Sequence, residues 1–122
     1  MIKAILIVGL GGMFGSVFRY VFSVMVKAND FPFATFIVNI AGSFIIGLVI
    51  GASLKNDVID NNWKLFLATG VCGGFTTFSA FSLECIELFK QQRYFMVLVY
   101  IIMSIILGLA ATFAGLQLTK GN

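Results

Sequence analysis

The sequence lacks histidine, and its 122 residues include only 11% charged residues, two cysteines and one proline. Without histidine it has neither the most common general base nor the usual pH switch near neutrality, and it has no Cys/His metal spacing. Soluble domains carry about 25% charged residues, so these charges are too few to cover a soluble globule. A chain that is 60% hydrophobic is not disordered either. The composition therefore predicts an integral membrane protein.

The few charged and thiol groups point to no other class. The net charge of +3 comes from eight lysines and arginines scattered along the chain, and these form no basic patch for a nucleic-acid partner. Cys72 and Cys85 lie in or beside apolar sequence, so we expect both to be buried as small hydrophobic side chains.

Four apolar segments approach the about 20 residues that cross a bilayer. They cover about residues 4–26, 33–54, 64–89 and 94–118. Short polar connections between apolar helices are typical of antiparallel neighbours, so we predict an all-α, single four-helix transmembrane domain over residues 1–122. The first segment is too long for a signal peptide and has no small-residue cleavage pattern. We expect a multi-pass protein of the cell membrane.

The positive charges divide almost evenly between the two ends of the spans. Lys3, Lys55, Lys64 and Lys120 fall on the side of the N-terminus; Lys27, Lys90 and Arg93 fall on the other side, with Arg19 inside the first segment nearer that side. Positive charge normally sets orientation, so an even division predicts insertion both ways and a homodimer of oppositely oriented copies. A weakly biased chain oriented by something outside the sequence is the alternative, and a heterodimer with a paralogue also stays open.

Glycines and one arginine mark the first segment. The stretch from Gly9 to Gly15 is similar to a dinucleotide-binding turn, but Phe14 stands where the strict pattern needs glycine, and a membrane span follows. Gly11 and Gly15 have the G-x-x-x-G spacing that lets helix backbones approach closely. Arg19 either extends to the membrane interface or places a positive charge at the mouth of an anion path.

Small and polar residues recur every fourth position along the second segment: Thr35, Asn39, Ser43, Gly47 and Gly51. Such a stripe drifts slowly around a helix, as a line of contact with a crossing helix does. An unpaired amide is costly in hydrocarbon, so Asn39 faces a partner helix or water. It either joins helices or donates to a permeating anion.

In the third segment, the stretch from Gly70 to Ser82 has a low propensity to form a helix. Three glycines within five residues precede Thr76 and Thr77, which predicts a helix broken near residues 73–79. Broken backbone at membrane depth must be buried or must line water; its freed carbonyls can bind a cation and its freed N–H groups an anion. Phe78 and Phe81 lie at this break, and phenyl rings have positive edges.

Two further sets of polar residues complete the pattern. Glu84 lies one turn beyond the predicted break and is expected to be hydrogen-bonded, whereas Glu87 is expected at the interface. On the fourth segment, Tyr100, Ser104 and Gly108 repeat every fourth residue, so we expect that face to lie inside the bundle.

The order and spacing of three motifs resemble those of the Fluc (CrcB-type) fluoride channels along the whole chain. The motifs are Gly-Gly-x-x-Gly-x-x-x-Arg-Tyr at 11–20, Thr-x-x-x-Asn-x-x-Gly-Ser-Phe at 35–44 and Gly-x-x-Gly-Gly-x-Thr-Thr-Phe-Ser-x-Phe-Ser at 70–82. The resemblance implies an antiparallel dual-topology homodimer with two narrow pores that conduct fluoride passively and selectively. It also implies a structural sodium ion (Na+) on the dimer axis.

The resemblance assigns roles to individual residues. Phe78, Phe81 and Asn39 correspond to the side chains that contact fluoride, and the carbonyls of Gly73 and Thr76 to the sodium ligands. The polar track facing the phenylalanines corresponds to Thr35, Thr77, Ser79, Glu84, Tyr100 and Ser104, and Arg19 corresponds to a vestibule arginine. Ala80 and Gly108 depart from the pattern, since many members have a hydroxyl residue at the first position and some have serine at the second.

Two other functions remain as alternatives. A small four-span multidrug exporter would need a membrane-embedded carboxylate in its first span, where this chain has Arg19 and no acid. A structural subunit of a larger complex would explain the small size and the glycine spacing, but not the cluster formed by Asn39, Thr77 and Phe78. An intramembrane enzyme is less well supported than either, because the sequence shows no histidine, no Ser/Lys or Asp/Asp pair and no metal site.

Overall fold

The computed structural model describes residues 1–26, 31–56 and 60–120, and all regular structure in these ranges is helical. The helices are α1 (Ile2–Met25), α2 (Phe33–Asn56), α3 (Asn61–Lys64), a π-helical segment (Leu65–Cys72), α4 (Gly73–Phe75), α5 (Phe78–Lys90) and α6 (Tyr94–Lys120). Residues Asn61–Lys90 together form the third span, so the described residues contain four helices long and apolar enough to cross a membrane. The prediction of an all-helical chain with four spans is confirmed.

The ends of the spans differ from the predicted ones by a few residues. The third span begins at Asn61 rather than at about residue 64, because the Asp60 carboxylate accepts hydrogen bonds from the backbone N–H groups of Asn62 and Trp63. An aspartate that caps a helix in this way satisfies donors that the first turn leaves unpaired. The first span ends at Met25 and the fourth continues to Lys120.

The most extensive packing joins alternate spans rather than sequence neighbours. A Cβ atom on Gly11 would lie 2.5 Å from the Phe66 carbonyl oxygen, and one on Gly15 would lie 2.2 Å from that of Val71. The first and third spans therefore run parallel in close backbone contact, as the G-x-x-x-G spacing allows. The glycine faces, and not the short connections, therefore decide which spans approach most closely.

The second and fourth spans form the other close pair. Gly47 and Gly51 of α2 contact Thr112 and Leu116 of α6, and Gly115 of α6 lies against α2 in return. The Thr112 hydroxyl donates to the Ser43 carbonyl oxygen across this contact at 3.1 Å. The C-terminal part of the predicted stripe on α2, at Gly47 and Gly51, is thus a line of contact with α6.

The third span is interrupted at Thr76 and Thr77, which we call the break. Both residues have extended backbone, with ψ of 155° at Thr76 and φ of −152° at Thr77. The break lies within the predicted range of residues 73–79. The π-helical segment before the break was not predicted, because the sequence of a π-helical turn does not differ recognisably from that of an ordinary apolar helix.

The two cysteines are free thiols within the third span. Cys72 is buried, as predicted, whereas Cys85 is only half-buried. Most of the large hydrophobic side chains of α1 and α6 face outward, which suits helices surrounded by lipid.

Candidate functional site

A groove with a volume of about 450 Å³ lies beside the break, between α2, the third span and α6. It is open on one side. Its polar side chains and its two phenylalanine rings belong to Asn39, Ser43, Thr76, Thr77, Ser104, Phe78 and Phe81. The fold therefore gathers hydroxyl, amide and ring groups beside the middle of the third span.

Asn39, which lies on the neighbouring helix α2, forms two hydrogen bonds with the backbone of the break. Its Oδ1 accepts from the Thr77 backbone N–H at 2.9 Å, and its Nδ2 donates to the Thr77 carbonyl oxygen at 3.2 Å. Asn39 thus joins two helices, one of the two roles left open from the sequence. Its amide nitrogen carries a second hydrogen, so the other role, donation to an anion, is compatible with this geometry.

The two threonines of the break satisfy part of its backbone. The Thr77 hydroxyl accepts from the Ala80 N–H at 3.1 Å, which caps the start of α5, and pairs with the Ser79 hydroxyl at 3.2 Å. The Thr76 hydroxyl donates back to the Cys72 carbonyl at 2.9 Å. Threonine is a favoured helix cap because its oxygen replaces a missing backbone acceptor.

Arg19 contacts the third span. Its Nε donates to the Gly74 carbonyl oxygen at 3.2 Å, across 55 positions of sequence. In a continuous helix that carbonyl would accept from residue 78, the first residue of α5 after the break. The guanidinium therefore takes up one carbonyl that the break frees, a contact that no local sequence signal indicated.

Glu84 links three spans. Its Oε2 accepts from the Thr35 hydroxyl and its Oε1 from the Tyr100 hydroxyl, each at 2.8 Å. Thr35 and Tyr100 are both buried, so these two donors hold the carboxylate in one orientation. The expectation that Glu84 is hydrogen-bonded is correct, and Glu87 is exposed.

Three rings form a row from the groove to this carboxylate. The ring centroids of Phe78 and Phe81 are 5.9 Å apart, and those of Phe81 and Tyr100 are 4.9 Å apart. Phe78 is 78% exposed in the single chain. The predicted roles of these rings and of the other pore residues stay predictions.

The fourth span turns its small and polar face inward, as its spacing indicated. Tyr100 is buried, Ser104 lines the groove, and a Cβ on Gly108 would lie 3.8 Å from the Ser43 hydroxyl. Ser43 lies in the groove without having been assigned to the site. Its place in the four-residue repeat with Asn39 was the signal that could have identified it.

The break also defines which backbone oxygens a cation could meet. Among the described residues no group of three His, Cys, Asp or Glu side chains could hold a metal. The carbonyls of Gly73 and Thr76 have lost their helical partners, since the N–H groups of Thr77 and Ala80 bond elsewhere. A Cβ on Gly73 would meet nothing within 4 Å, so the single chain does not crowd this residue. Carbonyl oxygens of this kind suit a hard cation.

These features define a multi-pass membrane protein with an interrupted span and a polar groove at membrane depth, an arrangement typical of ion-conducting and transporting proteins. Residues 6–116 match the family model described as CrcB-like protein, Camphor Resistance (CrcB). The chain belongs to this family. It is therefore a protein of the cell membrane, with the four spans seen here.

Curated relatives match nearly the whole chain. A protein of Azobacteroides pseudotrichonymphae named Fluoride-specific ion channel FluC is 46% identical over 123 residues, which cover 98% of each chain. Proteins with the same name from Flavobacterium psychrophilum and Gloeothece citriformis are 44% and 47% identical, with 97% and 95% of this chain covered and 98% and 96% of theirs.

Proposed function

We propose that this chain is a passive, highly selective fluoride channel, not an enzyme, that exports cytoplasmic fluoride. The observation that carries the proposal is the groove at the break, where a phenylalanine pair, an amide and hydroxyls meet at membrane depth. The relatives that match the chain end to end are named as fluoride-specific ion channels. Channel activity fits a path of several weak sites better than one tight site.

The path would run along the groove and the polar track beside it. Fluoride is strongly hydrated, so a selective path must replace its water with other donors. The remaining amide hydrogen of Asn39, the hydroxyls of Thr77, Ser79 and Ser104, and the ring edges of Phe78 and Phe81 are donors of this kind. Thr35, Tyr100 and Glu84 continue the track, and Arg19 adds positive charge near its mouth.

The groove is open on one side, which supports a partner that covers it. We propose an antiparallel homodimer, in which a second copy in the opposite orientation closes the groove of the first and so makes two pores. Polar groups that face lipid are costly, whereas the same groups facing a second copy are not. The even division of positive charge between the two ends supports dual topology.

The released carbonyls of Gly73 and Thr76 fit a sodium ion shared between two copies. One chain offers two such oxygens, and two chains related by a two-fold axis offer four, which suits a small hard cation. The chemistry that sodium supplies there is structural, a fixed positive charge that joins the two interrupted spans. In each chain, Asn39 and the Thr77 hydroxyl keep these oxygens available.

The first test is anion efflux from liposomes that contain the purified protein. Fluoride and chloride are read with selective electrodes, and valinomycin provides a potassium pathway that balances charge. We expect fast fluoride release that requires valinomycin, and no chloride release. Absence of fluoride release from a verified, folded dimer would refute the proposal and favour a proton-coupled cation exporter or a structural subunit.

Two substitutions test the pore assignment. We expect Phe78→Ile and Asn39→Asp each to abolish fluoride release and to leave the dimer intact, because one removes the ring edge and the other replaces an amide donor with a negative charge. Phe95→Ile is the matched control, since Phe95 is 79% exposed like Phe78 but lies at the start of α6, outside the groove. Normal flux through Phe78→Ile or Asn39→Asp would contradict the assignment.

A further inference from the structure

At the break in the third span, two backbone N–H groups donate to side-chain oxygens instead of to the carbonyls that they would meet in a continuous helix. In a continuous α-helix the Gly73 carbonyl accepts from the N–H of residue 77, and the Thr76 carbonyl accepts from that of residue 80. Here the Thr77 N–H donates to Asn39 Oδ1, and the Ala80 N–H donates to Thr77 Oγ1. Each diverted N–H meets a side-chain oxygen, one from another span and one from the break itself.

The glycines before the break do not by themselves explain this arrangement. Gly73 has ordinary helical backbone angles, with φ of −62° and ψ of −38°, so it requires no special conformation. A helix opens at membrane depth only if the freed N–H groups find partners, because an amide hydrogen bond is worth about 4–6 kcal/mol in an apolar medium. The two side-chain oxygens are those partners.

We propose that Asn39 is a positioning residue that keeps the Gly73 carbonyl free, and that the Thr77 hydroxyl does the same for the Thr76 carbonyl. Asn39 does so through the Thr77 peptide unit, whose N–H and carbonyl it binds together. The two side chains thereby leave these two carbonyl oxygens, which belong to residues that line the groove, without their helical donors. Arg19 occupies the Gly74 carbonyl that lies between them, so that oxygen is not part of the pair.

The inference deepens the proposed function, because it names the residues that prepare the suggested cation site. It also predicts that different atoms of the Asn39 amide have different roles. The Oδ1 and one Nδ2 hydrogen hold the backbone, and only the second Nδ2 hydrogen faces the path. Loss of transport after an Asn39 substitution would therefore combine a lost anion donor with a displaced backbone.

Isotope-edited infrared spectroscopy tests the positioning role without reference to transport. Cys72 precedes Gly73, so a synthetic 72–122 peptide with a ¹³C=¹⁸O label at Gly73 can be joined to residues 1–71 by native chemical ligation. The full-length labelled protein is then folded in detergent micelles. A carbonyl that accepts an amide hydrogen bond absorbs at lower frequency than one that does not.

We expect Asn39→Ala to shift the Gly73 carbonyl band to lower frequency, because the Thr77 N–H then returns to its helical acceptor. Ser43→Ala is the matched control, since it removes a polar side chain from the same helix and the same groove but leaves the Thr77 pairing unchanged. An unshifted band in Asn39→Ala, or an equal shift in Ser43→Ala, would overturn the inference.

A second variant covers the case in which Asn39→Ala does not fold. Thr77→Val removes the hydroxyl that accepts from Ala80 and preserves the side-chain shape. With the label moved to Thr76, we expect its band to shift to lower frequency in the variant. An unchanged Thr76 band would refute the role of the Thr77 hydroxyl.

Sodium-dependent melting separates this inference from the proposed sodium site. We expect sodium chloride to raise the melting temperature of the original protein above its value in choline chloride, and Asn39→Ala to lose that increase. No sodium effect on the original protein would refute the sodium site, while the infrared bands would still decide the positioning role. A full sodium effect in Asn39→Ala would overturn the positioning role.

Discussion

The contact between the first and third spans gives the sharpest stability prediction, for Gly15→Ala. A Cβ at this position would lie 2.2 Å from the Val71 carbonyl oxygen and 2.9 Å from the Phe75 nitrogen. Ordinary contact begins at 3.4 Å, so the Val71 backbone would have to retreat by about 1.2 Å. Both obstacles are backbone atoms, which cannot rotate away as a side chain does, so the helices themselves must separate.

The expected cost follows from the rigidity of this contact. Overpacking a tight interior typically costs about 1–3 kcal/mol, and backbone obstacles place Gly15→Ala at the upper end. Gly9→Ala is the matched control on the same helix, since its Cβ would meet nothing within 4 Å. Alanine is the better helix former by about 1 kcal/mol, so we expect Gly9→Ala to be neutral or slightly stabilising.

The assay is the free energy of unfolding in mixed micelles, with SDS as the denaturant. Trp63 is the single tryptophan of the chain, and its ring packs edge-on against Phe66 with centroids 5.8 Å apart. Its fluorescence therefore reports the third span directly. The reasoning would be refuted if Gly15→Ala unfolded with the same free energy as Gly9→Ala.

Two further substitutions probe other parts of the site. Gly73→Ala should be neutral or slightly stabilising for the single chain, as at Gly9, since its Cβ meets open space. It should lower the dimer fraction measured by single-molecule photobleaching, because a second copy packs there in the proposed dimer. An undiminished dimer fraction would contradict that packing. Glu84→Gln should cost about 1.5–3 kcal/mol of unfolding free energy, because both hydroxyl donors lose a charged acceptor and one of them then faces an NH2 group. Glu87→Gln, an exposed control, should change the unfolding free energy by less than about 0.5 kcal/mol. Equal effects of the two substitutions would argue against the carboxylate link.

The spans and the break could be predicted because both depend on local sequence. About 20 apolar residues in a row are enough to indicate a span. The cluster of Gly70, Gly73 and Gly74 before two threonines weakens a helix at one place. The structure has the break at Thr76 and Thr77, inside the predicted range.

The pairing of spans and the partners of the buried polar groups could not be predicted. Which helices approach most closely depends on how glycine faces match across the bundle, and the G-x-x-x-G spacing names a face without naming its partner. The contact of Asn39 with the Thr77 backbone and that of Arg19 with Gly74 join residues 38 and 55 positions apart. No local pattern contains such pairs.

The hydrogen bond from Arg19 to the Gly74 carbonyl also has a consequence for how the chain is made. At about 5–20 residues per second, the 55 positions between them take on the order of 3–11 s to synthesise. During that interval the first span holds a cation with its acceptor still unmade, at a cost of up to about 2.5–3.5 kcal/mol in the bilayer. The nascent first span is thus less stable in the bilayer than in the finished protein. Its position becomes fixed only when the third span is inserted and the Gly74 carbonyl can accept the hydrogen bond.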